Sequence, residues 1–248
     1  MSAAIEAARV CKTYGQGPTR VEAVRALDLV VRAHELTVLV GPSGSGKTTL
    51  LSILGCMLTP TSGTVRVCGV PTGDARPEAL AAIRRRHIGF VFQSYHLFST
   101  LTAGENVQLA LDIRSERGPG ATAKSAAVLA DVGLSAKLNA FPRELSGGEQ
   151  QRVAIARALV ADPSVILADE PTAALDSENG RAIMAILSSA AKQRGRAVLV
   201  VTHDARLFRF ADRIVHIEDG AITREERPDA DDCETHARTV GSQRAGRP

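Results

Sequence analysis

Apolar residues fall along this chain in two rhythms. Short apolar runs mark strands at about 4–10, 26–33, 36–41, 63–68, 88–92, 165–169, 197–202 and 213–217. The run Val165–Ala168 shows none of the alternation of a half-exposed strand. It reads as a strand buried on both faces, as in a parallel sheet covered by helices. Helical spacing takes over at 48–58, 106–113 and 121–131, and again at Val153, Ala156, Leu159 and Val160. Gly118-Pro119-Gly120 reads as a turn between two of these stretches. From Thr223 to Pro248 the pattern stops: charges are mixed and Val240 is the one large aliphatic residue, so a flexible tail is expected.

Composition narrows the classes. With 248 residues, 44% of them apolar, there is material for one large core. A mean hydropathy of +0.00 argues against both disorder and membrane insertion. The net charge of +3 and an aromatic content of 3% leave little for stacking on bases, so no nucleic-acid partner is expected. Cys11, Cys56, Cys68 and Cys233 show no paired spacing of a zinc site or disulfide framework, and reduced thiols are expected. The first seven residues carry neither a basic nor an apolar segment, so no secretion signal is expected.

The chemistry begins at Gly41-Pro42-Ser43-Gly44-Ser45-Gly46-Lys47-Thr48, which matches the phosphate-loop pattern GxxxxGKT between a strand and a helix. Glycines at 41, 44 and 46 are expected to permit positive φ and bring backbone N–H groups close to phosphate oxygens. Lys47 supplies a point charge for the β and γ phosphates. The Thr48 hydroxyl can hold Mg²⁺, and the helix start that includes Thr49 turns its positive end to the same anion.

Two acids, Asp169 and Glu170, close the strand at 165–169, at the carboxyl end where open α/β sheets bind ligands. Asp169 is expected to hold Mg²⁺ through its water shell, and Glu170 to orient or deprotonate the attacking water.

A third motif, Leu145-Ser146-Gly147-Gly148-Glu149-Gln150-Gln151, has the local form of a helix start. Ser146 is a good N-cap and Glu149 completes a capping box. The box does not account for Gly147 and Gly148, poor helix formers whose missing side chains suit a phosphate lying against the backbone. Here the chain resembles the nucleotide-binding domain of ATP-binding cassette (ABC) transporters, whose signature is LSGGQ or LSGGE. The resemblance runs from about residue 4 to residue 222.

It implies an α/β fold of ABC ATPase type. A P-loop NTPase core, a parallel sheet with helices plus an antiparallel β portion, would span 1–93 and 163–222, with a helical subdomain inserted at 94–162. It further implies that Tyr14 stacks on adenine, that Gln93 touches Mg²⁺ and the attacking water, that His203 contacts the γ phosphate, and that Ala174-Leu175-Asp176 communicates between two sites. ATP and Mg²⁺ are the implied cofactors. Two copies would pair head to tail, the phosphate loop of one facing Ser146–Glu149 of the other.

No run approaches the about 20 apolar residues of a bilayer span, so the resemblance implies a separate membrane permease and a place on the cytoplasmic face of the inner membrane. The stretch from Ser94 to Val107, with Tyr95, Leu97 and Phe98, lies where relatives receive the permease. The segments 87–93, 101–107, 168–176 and 201–220 look closest to the branch of lipoprotein-release, macrolide-efflux and Dev-type glycolipid-export ATPases, which works with four-span permeases and often a periplasmic adaptor. A tail of about 26 residues is too short for the regulatory domain of sugar importers, which leans toward export. A soluble ABC protein acting on nucleic acid or ribosomes is the alternative, although no coiled-coil insertion, zinc module or second cassette is present. The chain departs from many relatives at His34, where glycine is common at a turn, and at Ala173-Ala174.

Overall fold

A computed structural model describes residues 2–228. The chain opens with two long strands, β1 (Ala3–Tyr14) and β2 (Val21–Arg32), followed by β3 (Leu36–Val40). After the phosphate loop and α1 (Lys47–Leu54) come β4 (Ser62–Val67) and β5 (Val70–Pro71). β1 and β2 outrun the expected 4–10 and 26–33. Their polar, largely exposed ends pair from Lys12↔Val24 to Tyr14↔Val21, so backbone hydrogen bonding extends the hairpin past its apolar stretch. α1 ends four residues short of Leu58, because Cys56 turns to φ +57° and breaks the ladder.

Next come α2 (Pro77–His87), β6 (Ile88–Val91), α3 (Ala103–Asp112), α4 (Pro119–Asp131) and α5 (Gly147–Leu159). β7 (Val165–Asp169), α6 (Ser177–Arg194), β8 (Ala197–Thr202), β9 (Arg213–Glu218) and β10 (Ala221–Glu226) complete the order. Gly118-Pro119-Gly120 opens α4 instead of standing apart as a turn. Gly118 at φ +86° is the N-cap, and Pro119 and Gly120 form the first turn, where a missing N–H costs nothing. The flexible tail expected from Thr223 is corrected over its first residues, since Thr223 lies at a register shift within β10 and Arg224, Glu225 and Glu226 pair with β9; residues 229–248 lie outside the described residues.

Two sheets result. The antiparallel one runs β2-β1-β4-β5 and the other β10-β9-β3-β8-β7-β6, parallel except where β10 meets β9. Alternation explains how the central strands are covered on both faces. Leu39, Leu167, Leu199 and Val201 face α1 and the antiparallel sheet, while Val38, Ile166, Ala168, Val198 and Val200 face α5 and α6. α3, α4 and α5 share a third buried cluster around Val107, Leu111, Leu129 and Val153.

His34 takes φ +64°, the left-handed conformation that glycine adopts without strain. Its N–H donates to the Arg196 carbonyl at 3.1 Å, and its ring lies against Gly195. The turn keeps its shape with a residue that tolerates it.

Candidate functional site

The phosphate loop is held by backbone contacts. Gly46, at φ +94°, caps α1, and a Cβ there would come 2.1 Å from the Ala23 carbonyl oxygen. Gly44 shares the positive φ at +82°, but Gly41 does not. What Gly41 requires is room: a Cβ there would lie 2.0 Å from the Ile217 carbonyl oxygen, so packing against β9 keeps it bare. Buried Ser45 accepts from the Gly220 N–H at 3.1 Å, which pins the loop to the β9–β10 turn.

Lys47 curls over this loop. Its ammonium donates to the Gly41 carbonyl at 2.8 Å and to the Pro42 carbonyl at 2.7 Å. Burial lowers its pKa, while Glu170 and Asp169 oppose that shift. The Thr48 hydroxyl donates to Asp169 Oδ1 at 3.4 Å. Burial pushes the Asp169 carboxyl up, the Thr48 bond and Lys47 pull it down, and Glu170 adds to the rise.

Glu170 sits one residue past β7 with φ +46° and its N–H on the Val201 carbonyl at 2.9 Å. This turn aims the carboxylate at β8. Its Oε1 accepts from His203 Nδ1 at 2.8 Å, which places the ring proton on Nδ1. Its Oε2 is buried with no hydrogen-bond partner among the described residues.

These groups converge on a cavity of about 590 Å³ lined by Ser43, Gly44, Gly46, Lys47, Thr48 and Thr49 from the loop and by Gln93, Asp169, Glu170 and His203. Ala23 of β2 and Val201 of β8 complete the lining. Neither side chain carries a polar group, so nothing in the sequence marks them. Gln93 lies two residues beyond β6 and is exposed.

The other expected residues are elsewhere. Tyr14 ends β1, 44% exposed, with the Lys12 ammonium 5.3 Å from its ring centre, and does not line the cavity. Ser146, Gly147, Gly148 and Glu149 form the start of α5, also outside it. The Ser146 N–H donates to Glu149 Oε2 at 2.8 Å, and the Glu149 N–H to Ser146 Oγ at 3.3 Å. That backbone bond holds the Glu149 carboxyl below the usual range. Gly148 has an intrachain reason to lack a side chain, because a Cβ would lie 2.5 Å from Asn179 Oδ1. Asn179 also donates to Asp176 Oδ2 at 2.7 Å, tying the loop after Glu170 to the signature helix. Asp176 lines a second cavity with Leu175, Asp204 and Arg206.

The donor set suits a magnesium nucleotide. Thr48, Asp169 and Gln93 offer only oxygen to a hard cation. Such a cation usually keeps several waters and takes substrate phosphate oxygens beside one or two carboxylates, and among the described residues no cluster of three or more His, Cys, Asp or Glu side chains is found.

Residues 24–173 match the ABC transporter family. The chain belongs to that family. This cassette is an ABC-type ATPase domain that binds ATP, with the α/β fold of P-loop NTPases. It is 46% identical over 222 residues to the macrolide export ATP-binding/permease protein MacB of Salmonella paratyphi A, covering 90% of this chain and 34% of that protein. To MacB of Escherichia coli K12 it is 43% identical over 224 residues, covering 90% and 34%. The cassette thus spans about a third of the length of these relatives. Among solved structures it resembles the dimeric, ADP- and phosphate-bound post-hydrolysis state of the cassette MJ0796, with a TM-score of 0.84 and 42% identity over 90% of this chain and 98% of that one. No helix among the described residues is long and apolar enough to cross a membrane.

Proposed function

We propose that this cassette is the ATP-hydrolysing subunit of a membrane exporter for a lipid, lipoprotein or other hydrophobic compound. It works at the cytoplasmic face of the inner membrane with a separate permease and, as in its branch, a periplasmic adaptor. Two copies close head to tail on ATP, and each active site combines the phosphate loop of one with Ser146–Glu149 of the other. The observation that carries this reading is the divided site. Loop, acids and His203 share one cavity, while the N-terminus of α5, capped by Ser146 and Glu149 and carrying the bare Gly147 and Gly148, lies outside it.

Within the cavity Lys47 and the loop N–H groups grip the β and γ phosphates, and Tyr14 stacks on the adenine that projects beyond it. Mg²⁺, held by Thr48, Gln93 and Asp169, supplies charge neutralisation when bound. Glu170 acts as general base through the unpartnered Oε2 and takes a proton from water as the water oxygen attacks the γ phosphorus. The bond to the bridging oxygen breaks, giving ADP and inorganic phosphate. His203 holds Oε1, fixes the carboxylate and contacts the γ phosphate. Closure excludes water and strengthens every one of these contacts. Asp176 positions the crossing loop, and the permease docks on the segment that includes Tyr95, Leu97 and Phe98, where Phe98 is 58% exposed.

Glu170→Gln tests the reading. The variant is expected to bind ATP, stop turning over and accumulate as a nucleotide-bound dimer on size exclusion. Hydrolysis at the parental rate, or a strictly monomeric parental chain at full activity, would sink it.

A further inference from the structure

Between Gln93 and α3 the backbone makes a turn that ordinary preferences oppose. Tyr95 and His96 stand consecutively at φ +59° and +48°, left-handed values that L residues hold only where the surroundings fix them. Arg157 of α5 supplies the fixation. It donates from one guanidinium nitrogen to the Tyr95 carbonyl at 2.7 Å and from the other to the His96 carbonyl at 2.6 Å. Both bonds go to main-chain oxygens, and burial lowers its pKa. The His96 ring stacks on Phe92 at 4.7 Å, which braces the same turn.

Two further contacts give Arg157 reach. The Tyr95 hydroxyl sits 3.0 Å from where a Cβ on Gly147 would be, so the tip of the clamped residue's side chain abuts the first residue of the signature helix. Arg157 also lines a cleft of about 390 Å³ with Arg84, Arg85, Phe90 and Ile113, the last 65% exposed. One side chain therefore touches an open cleft and the turn after Gln93, and through Tyr95 it bears on Gly147.

We propose that Arg157 is a positioning residue that locks the turn after Gln93 to the signature helix, so that displacement of the turn moves Gly147 and sets how well the signature meets nucleotide on the opposing copy. The proposal rests on the head-to-tail reading above. The fork of donors is essential to it, since a planar guanidinium presents its N–H groups at a fixed separation and orientation that a compact, freely rotating ammonium does not reproduce.

The test uses the purified chain with Arg157→Lys, Tyr95→Ala and the double variant, measuring steady-state hydrolysis, binding of a fluorescent ATP analogue and thermal melting. Tyr95→Ala leaves both carbonyls for Arg157 but removes the side chain that abuts Gly147. Each single variant is expected to lose about threefold to thirtyfold in kcat, with analogue binding and melting close to parental. The double variant is expected to lose no more than the worse single. Parental kcat in a folded Arg157→Lys, or losses that multiply in the double variant, overturns the proposal. If Arg157→Lys does not fold, Tyr95→Ala decides alone, and a parental kcat there overturns it. Glu170→Gln runs alongside: if it still hydrolyses ATP, the general-base reading fails, whereas an inert Glu170→Gln beside a fully active Arg157→Lys rejects only the lock.

Discussion

His203 Nδ1 lies 2.8 Å from Glu170 Oε1, so the histidine expected to face the γ phosphate also holds the acid expected to act as base. The two residues come from the ends of adjacent parallel strands, β8 and β7, which sets their separation before any ligand arrives. His203→Ala is expected to lower kcat by roughly 10²- to 10³-fold. His203→Asn, whose amide can replace the Nδ1 donor, should recover part of that loss. Equal activity in the two variants would show that holding Glu170 is not what His203 contributes.

Lys47 bridges two carbonyls of its own loop, at 2.8 and 2.7 Å. Lys47→Ala should weaken ATP binding at least about tenfold by removing a charged donor, measured by titration with a fluorescent analogue. Lys47→Arg should not restore it, because a planar fork does not fit where a compact ammonium sits.

Gly148 and Asn179 are in mutual contact, and a Cβ at 148 would meet Asn179 Oδ1 at 2.5 Å. Gly148→Ala is expected to cost about 1–3 kcal/mol by overpacking, read as a drop in melting temperature of about 2–4 °C per kcal/mol. Adding Asn179→Ala should relieve the clash and raise the melting temperature again. A double variant melting below Gly148→Ala would assign the cost to something other than this contact.

Glu149 gives a pH signature. Its carboxyl is held below the usual range by the Ser146 N–H, opposed by burial and aided by the Ser146 hydroxyl and Lys137. A depressed folded pKa means that its stabilising effect is present above the ordinary glutamate value, about 4.3, and lost as pH falls through the lower folded value. Glu149→Gln keeps the cap but loses the charge. It should melt below the parental chain at pH 7 by an amount equivalent to about 0.3–1 kcal/mol, and the gap should narrow below the ordinary glutamate value and close once pH has fallen through the lower folded one. A gap that persists in acid would point to shape in place of charge.

The sequence did not disclose every element. α2 ends in Arg84, Arg85, Arg86 and His87 and buries only Ile83, so its apolar stripe is too thin to read. In β10, Ile222 packs on the core while Thr223, Arg224 and Glu225 are exposed, and such an edge strand resembles a solvated tail until β9 is seen beside it. Gly41 was legible as a bare residue but for the wrong reason, since its constraint comes from Ile217, far along the chain.

By itself the sequence determined the features written in local order: the buried strands in continuous apolar runs, the phosphate loop between strand and helix, the capping box at Ser146 and Glu149, and the two acids closing β7. These follow from periodicity and backbone preference among near neighbours. Only the tertiary structure decided which distant residues share a space. It placed Glu170 against His203, Asn179 against Gly148 and Arg157 beneath Tyr95, and it put Ser146–Glu149 outside the cavity that holds Lys47. Such pairings depend on strand order and helix packing, which long-range burial sets and near-neighbour spacing does not encode.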